Sequence, residues 1–181
     1  PGELTEGLAM SDSNAVSTSN AGGHATGLIV GRFDPPHLGH SFMIDWAAQR
    51  CEQLVVFVNS STSADTAPGE LRAGWLAELH PGVHVREVRH QLWNDWDDEE
   101  LWARWMALFR AEWPLAAGPH VVFSSDAYVS EIARRFDAQS VVVDADRVTV
   151  PISATQIRES PADHLDRLAP PVRAWVEANW V

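Results

Sequence analysis

The chain of 181 residues contains no lysine, because all 13 of its basic residues are arginines. That absence removes a Walker A lysine, a Schiff-base lysine and a lysine general base. Any fixed cationic contact to an anion falls to arginine, histidine or a metal ion, and arginine's planar fork suits phosphate. A GC-rich genome produces the same bias, so the absence constrains the chemistry without explaining itself. Cysteine is almost as scarce: Cys51 stands alone. No internal disulfide can form, which fits a reducing, cytoplasmic setting. Positive charge as a whole is outweighed, with a net charge of -12 and a pI near 4.9. General nucleic-acid binders are usually basic, so nucleic acid is not expected as a partner. No apolar run is long enough to span a bilayer, and the N-terminus lacks the basic-then-apolar order of a secretory signal. A membrane is therefore not expected either.

What remains is a chain with 45% hydrophobic residues and a length that suits one domain. Residues 1–25 are rich in Ser, Gly, Asn, Thr and Ala without periodicity. They read as a flexible N-terminal tail in which Met10 is a candidate start. Residues 26–181 read as a single domain. Apolar runs at Leu28–Val30, Leu54–Val58, Val83–Val88, Val121–Phe123 and Ser140–Val143 predict strands. Helices are predicted between them at Leu38–Cys51, Pro68–Leu79, Asp97–Trp113 and Ala127–Phe136. A short helix around Ile157 and a last one over Pro171–Trp180 follow. This alternation predicts an α/β fold of Rossmann-like type, a parallel sheet with helices on both faces. Ligands of such sheets bind at the carboxyl ends of the strands, near the switch in strand order.

One segment lies at that edge. Gly31-Arg32-Phe33-Asp34-Pro35-Pro36-His37-Leu38-Gly39-His40 follows the first strand and opens the first helix. A helix N-terminus presents free N–H groups and partial positive charge to an anion. His37 and His40, three residues apart at that turn, add donors aimed at the same place. The segment reads as a phosphate cradle. A second segment, Pro151-Ile152-Ser153-Ala154-Thr155-Gln156-Ile157-Arg158, has Ser153 or Thr155 placed to cap a helix, with Arg158 one turn on.

The first segment resembles the H-x-G-H signature of the nucleotidylyltransferase superfamily, and the second its I-S-S/G-T-x-x-R signature. Ala154 stands where relatives often carry Ser or Gly. Within the superfamily, residues 27–176 resemble the NadR-type nicotinamide-nucleotide adenylyltransferases. The likeness includes Leu71-Arg72-Ala73-Gly74-Trp75-Leu76, Val122-Phe123-Ser124-Ser125-Asp126-Ala127-Tyr128 and Val141-Val142-Val143-Asp144-Ala145-Asp146-Arg147. Some relatives add a downstream P-loop kinase or an upstream DNA-binding domain. Neither is read in residues 1–181, so a stand-alone enzyme and a piece trimmed from a fusion both stay open.

The resemblance implies that the 5′-phosphate of nicotinamide mononucleotide (NMN) attacks the α-phosphorus of ATP, giving NAD and pyrophosphate. It implies Mg²⁺ bound mainly through substrate phosphates, with no metal ligand assigned to the protein. It also implies catalytic roles for His37, His40 and Arg158 around the triphosphate. Phosphate or nucleotide contacts are implied for Gly31, Arg32, Phe33, Gly39, Ser153, Thr155 and Asp144. Asp34 sits at a position that varies among relatives.

A flat surface is needed for a cationic nicotinamide ring. Trp96 and Trp102 match aromatic positions that relatives use, although Trp102, Trp105, Phe109 and Trp113 follow helical spacing and suit a core equally well. Asn59, just after the second strand, suits a contact to the ribose or amide of the acceptor. Asp144 and Arg147 suit either the adenosine or a structural pair, and Arg72 either phosphate or a helix surface. Asp97-Asp98-Glu99-Glu100 reads as charge that complements a helix dipole rather than a metal site. Cys51 reads as a buried small apolar residue.

Two further functions stay open beside NMN adenylylation. One is a nucleotidylyltransferase, such as a cytidylyltransferase, with another phosphate or phosphonate acceptor. The other is a catalytically weak NAD or NMN sensor. The apolar stretch with Trp175, Trp180 and Val181 suits packing on the core or on a partner subunit, so a homo-oligomer stays open too.

Overall fold

Strand β1 (His24–Gly31) is buried on both faces and forms the middle of the sheet. In the computed structural model, residues 23–181 are described; most of the expected tail, residues 1–22, lies outside them. His24 and Ala25, read with that tail, belong to β1 and extend the strand beyond the apolar core Leu28–Val30. The chain continues through α1 (Leu38–Ala48), β2 (Cys51–Ser60), α2 (Gly69–Leu79), β3 (His84–Arg89) and α3 (Glu99–Glu112). It then forms β4 (Val121–Ser124), α4 (Val129–Phe136), β5 (Gln139–Val142) and α5 (Ala154–Glu159). A 3₁₀ segment (Pro161–Arg167) leads into α6 (Pro170–Trp180). Cys51, expected at the end of a helix, opens β2 opposite His24.

All five strands are parallel in the order β3-β2-β1-β4-β5. Leu28 lies beside Val55 on one side and Val122 on the other. Side chains alternate across each strand. Leu28, Val30, Val55 and Phe57 pack under α3 and α4, against Trp105, Phe109 and Ile132. Ile29, Val56 and Val58 point the other way, onto Met43 and Ile44 of α1 and Leu76 of α2. The chain winds outward from β1 to β3 and returns to β4. That reversal opens a crevice between the carboxyl ends of β1 and β4, where open α/β sheets take their ligands.

A third apolar cluster was not legible in the sequence. Ile152 and Ile157 pack with Trp75 of α2 and with Val172 and Val176 of α6. Trp175 meets Trp75 edge-on at 5.7 Å and Trp180 at 5.4 Å, so the C-terminal tryptophans pack on their own domain. This cluster seats α5 beside the crevice. Among the described residues no helix is long and apolar enough to cross a membrane.

Candidate active site

His37 is the N-cap of α1. Its Nδ1 accepts the backbone N–H of Gly39 at 3.1 Å and of His40 at 3.4 Å. In return the His37 N–H donates to His40 Nδ1 at 3.3 Å. The two imidazoles thus form a capping box of the kind usually built from a hydroxyl and a carboxylate. An Nδ1 that accepts carries no proton, so each neutral ring keeps its N–H on Nε2. The rings stack at 3.7 Å, and Phe33 meets His40 edge-on at 4.8 Å. Gly39 has its own reason: a Cβ there would lie 3.0 Å from His37 Nδ1 and Cε1 and would press on the ring. Phe33 adopts a left-handed backbone, φ 52°, to turn the chain under the histidines.

Burial, then the positive charge of Arg147, holds His37 down at a pKa of about 4. Burial, the neighbouring His37 and Arg147 hold His40 well below the usual histidine range. At neutral pH both are uncharged donors. An incoming polyanion favours the protonated form of each.

Asp34, of uncertain role in the sequence, is 1% exposed and serves as a lock. Its carboxylate accepts the N–H and hydroxyl of Thr66 at 2.9 and 2.8 Å and the N–H of Ala67 at 2.9 Å. This ties the loop after β2 to the loop after β1. Arg72 is not a helix-surface residue. It is fully buried, and its guanidinium donates to the carbonyls of Ala67, Arg32 and Asn59 and to Asp65. Four of its five N–H groups are used in holding the ends of β1 and β2 together.

Arg158 reaches back from α5. It donates to the Asp34 carbonyl and, at 3.2 Å, to the Thr155 hydroxyl, so the two sequence motifs touch. Ser153 caps α5 by accepting the Gln156 N–H at 3.2 Å. Asp144 and Arg147 do not pair through their side chains. The Asp144 carboxylate staples its own loop by accepting the N–H groups of Val148 and Thr149. Arg147 faces Asp126 instead, with Nη2 3.8 Å from Oδ1.

The crevice has two lobes. The first, about 250 Å³, is lined by Gly31, Arg32, Phe33, Gly39 and both histidines. Across from these it is lined by Ser124, Asp144, Arg147, Ser153, Thr155 and Arg158. The second, about 300 Å³, is walled by Trp96, Trp102, Trp105 and Phe109, with Asn59, Asn94 and Asp95 at its polar side. Val30, Gly31, Arg32, Asp126 and Tyr128 line both, so the lobes meet at the end of β1.

Trp96 is 55% exposed, whereas Trp102 is 7% exposed. The Trp102 indole N–H donates to the Trp96 carbonyl at 3.2 Å, and Arg135 covers its ring at 4.6 Å. Trp102 is therefore core as well as wall. Asn59 lines the second lobe with its backbone carbonyl held by Arg72. Tyr128, which the sequence offers only as part of the family likeness and without a role, donates its hydroxyl to the Val30 carbonyl at 3.0 Å, and its ring lies 5.8 Å from Trp96. No periodicity marks it, because it sits in a turn. The acidic run behaves as expected: Asp98 caps α3 through the Leu101 N–H at 2.9 Å, and Glu99 pairs with Arg135. Cys51 is buried, and burial pushes its thiol up to about 11.

A profile of the cytidylyltransferase-like family matches residues 28–160. A nicotinamide-nucleotide adenylyltransferase of Aeropyrum pernix is 38% identical over 69 residues, covering 38% of this chain and 37% of that protein. One of Saccharolobus solfataricus is 28% identical over 123 residues, 62% of this chain and 72% of that protein. The crystal structure of a NadR protein in complex with NAD and AMP-PNP superposes with a TM-score of 0.60 at 25% identity. It covers 80% of this chain, which spans 44% of that one.

Proposed function

The chain belongs to the cytidylyltransferase-like family, and on that premise we propose that it transfers AMP from ATP to NMN, forming NAD and pyrophosphate. The observation that carries the reading is the pair of lobes meeting at Gly31 and Arg32. One is rich in N–H donors, as a triphosphate requires. The other is walled by indoles, as a cationic pyridinium ring requires. Relatives named for this activity support the acceptor.

In the proposed reaction an oxygen of the NMN 5′-phosphate bonds to the α-phosphorus of ATP. The bond from that phosphorus to the bridging oxygen breaks in line, and its electron pair leaves with pyrophosphate. No covalent nucleophile is needed. The Nε2–H groups of His37 and His40 and the guanidinium of Arg158 offer donors for the charge that grows on the leaving group. Gly31, Phe33 and Arg32 supply backbone and cation at the α-phosphate. Ser153, Thr155 and Asp144 border the nucleotide; Trp96, Trp102 and Asn59 border the acceptor.

Mg²⁺ fits as a companion of the triphosphate. Among the described residues no three His, Cys, Asp or Glu side chains cluster to hold a metal, and the carboxylates of Asp34 and Asp144 are already used by backbone N–H groups. Held through substrate phosphate oxygens rather than by the protein, the ion would supply charge neutralisation to the phosphates.

Incubating the protein with Mg²⁺ and either ATP or CTP, with and without NMN, tests the reading. NAD and pyrophosphate in equal amounts from ATP plus NMN alone is the expected outcome. Pyrophosphate from CTP with a different phosphate or phosphonate acceptor would replace it with the cytidylyltransferase reading. NMN binding without turnover would favour a sensor.

A further inference from the structure

A triphosphate carries more charge than Arg158 alone can meet, and without lysine any further permanently charged side chain that meets it must be an arginine. Three arginines besides Arg158 stand at the end of β1. Arg72 is buried, with four of its five N–H groups engaged. Arg32 donates to the Ala64 carbonyl and pairs with Asp34 and Asp65 at 3.4 and 3.6 Å. Arg147 is engaged least. One of its donors reaches the Ile152 carbonyl at 3.5 Å, the limit of a hydrogen bond. The other faces Asp126 at 3.8 Å, too far for one.

Its backbone is nonetheless built to present it. Asp144 and Arg147 both adopt left-handed conformations, φ 49° and 50°. The Arg147 N–H closes the turn on the Asp144 carbonyl at 2.8 Å, and the Asp144 carboxylate pins Val148 and Thr149. A β-unbranched side chain in that region still costs conformational energy. The turn delivers the guanidinium into the lobe of the histidines, close enough for its charge to disfavour protonation of both.

We propose that Arg147 is a further triphosphate-binding residue, and that Asp126 holds it across the mouth of the polar lobe until the nucleotide replaces that carboxylate. The inference rests on the nucleotidyl-transfer reading for its ligand but not on the identity of the acceptor. Asp126 stands on the β4–α4 turn and Arg147 on the β5–α5 loop, so the pair spans the crevice. Both are about half exposed, 55% and 40%. An ion pair of that kind is weak and screened by water. A triphosphate outcompetes one carboxylate with more charge and with bidentate geometry. Asp126 then becomes the residue that weakens nucleotide binding, by competing for Arg147 and by adding like charge.

Binding of the non-hydrolysable analogue AMP-PNP, with Mg²⁺ and without acceptor, tests this by calorimetry on four proteins. Arg147→Met should weaken binding at least tenfold, with Arg147→Lys between it and wild type. Asp126→Asn should tighten binding about two- to fivefold. In the double variant the gain from Asp126→Asn should shrink, because its competitor for Arg147 has lost its object. Unchanged affinity in Arg147→Met, or a full Asp126→Asn gain in the double variant, overturns the proposal. If wild type binds AMP-PNP normally yet makes no NAD, the acceptor reading fails and this one stands. Wild type that binds no AMP-PNP overturns both.

Discussion

At His37 the Nδ1 lone pair accepts the N–H groups that start α1, so protonating that nitrogen removes the cap. The folded protein holds His37 near pKa 4, whereas the unfolded chain titrates near 6.5. Between those values the unfolded state binds more protons, so stability rises with pH and falls as the solution is acidified. For His37 the loss from pH 7.5 to pH 5 is about 2 kcal/mol in urea unfolding free energy; His40 shifts in the same direction and adds to it. His37→Asn separates the two nitrogens. Its Oδ1 replaces the Nδ1 acceptor, and Asn is a favoured N-cap. This variant should keep the neutral-pH unfolding midpoint, lose part of the acid sensitivity, and lose turnover because no Nε2–H remains. Equal acid sensitivity in the variant and wild type would show that His37 is not held neutral by the fold.

Among the elements, the loops after β1 and β2 are joined by Asp34 and Arg72, and neither role could be read from the chain. Asp34 looks like an ordinary loop acid because Thr66 and Ala67 are more than thirty residues away. Arg72 looks like a helix-surface cation because burial depends on where α2 lands. Strand and helix order, by contrast, was legible from apolar periodicity, and the Gly31–His40 and Ile152–Arg158 segments were legible from turn and cap chemistry. Their contact, Arg158 on the Asp34 carbonyl, depends on the third cluster that anchors α5, which local pattern does not encode. Arg72→Met should leave Asp65 and three carbonyls short of a buried partner and cost about 3–5 kcal/mol in denaturant unfolding. A loss below about 1 kcal/mol would mean the loops hold without it.

Across the whole molecule, the reversal of strand order sets β1 between β2 and β4 and opens one crevice with two chemically different lobes. The net charge of -12 makes the cluster of His37, His40, Arg147 and Arg158 a local exception, so in the proposed reading an anion would be held there by position rather than by the general field. The most direct test is the initial rate of NAD formation from ATP and NMN in wild type, His40→Asn and Trp96→Ala, each with its unfolding midpoint measured. His40→Asn keeps the acceptor of the capping box and should lower kcat by about 10²–10³ with the fold intact. Trp96→Ala should raise KM for NMN by roughly five- to thirtyfold, leaving KM for ATP within twofold. The account is contradicted if wild type forms no NAD, if folded His40→Asn turns over at the wild-type rate, or if Trp96→Ala weakens ATP and NMN alike.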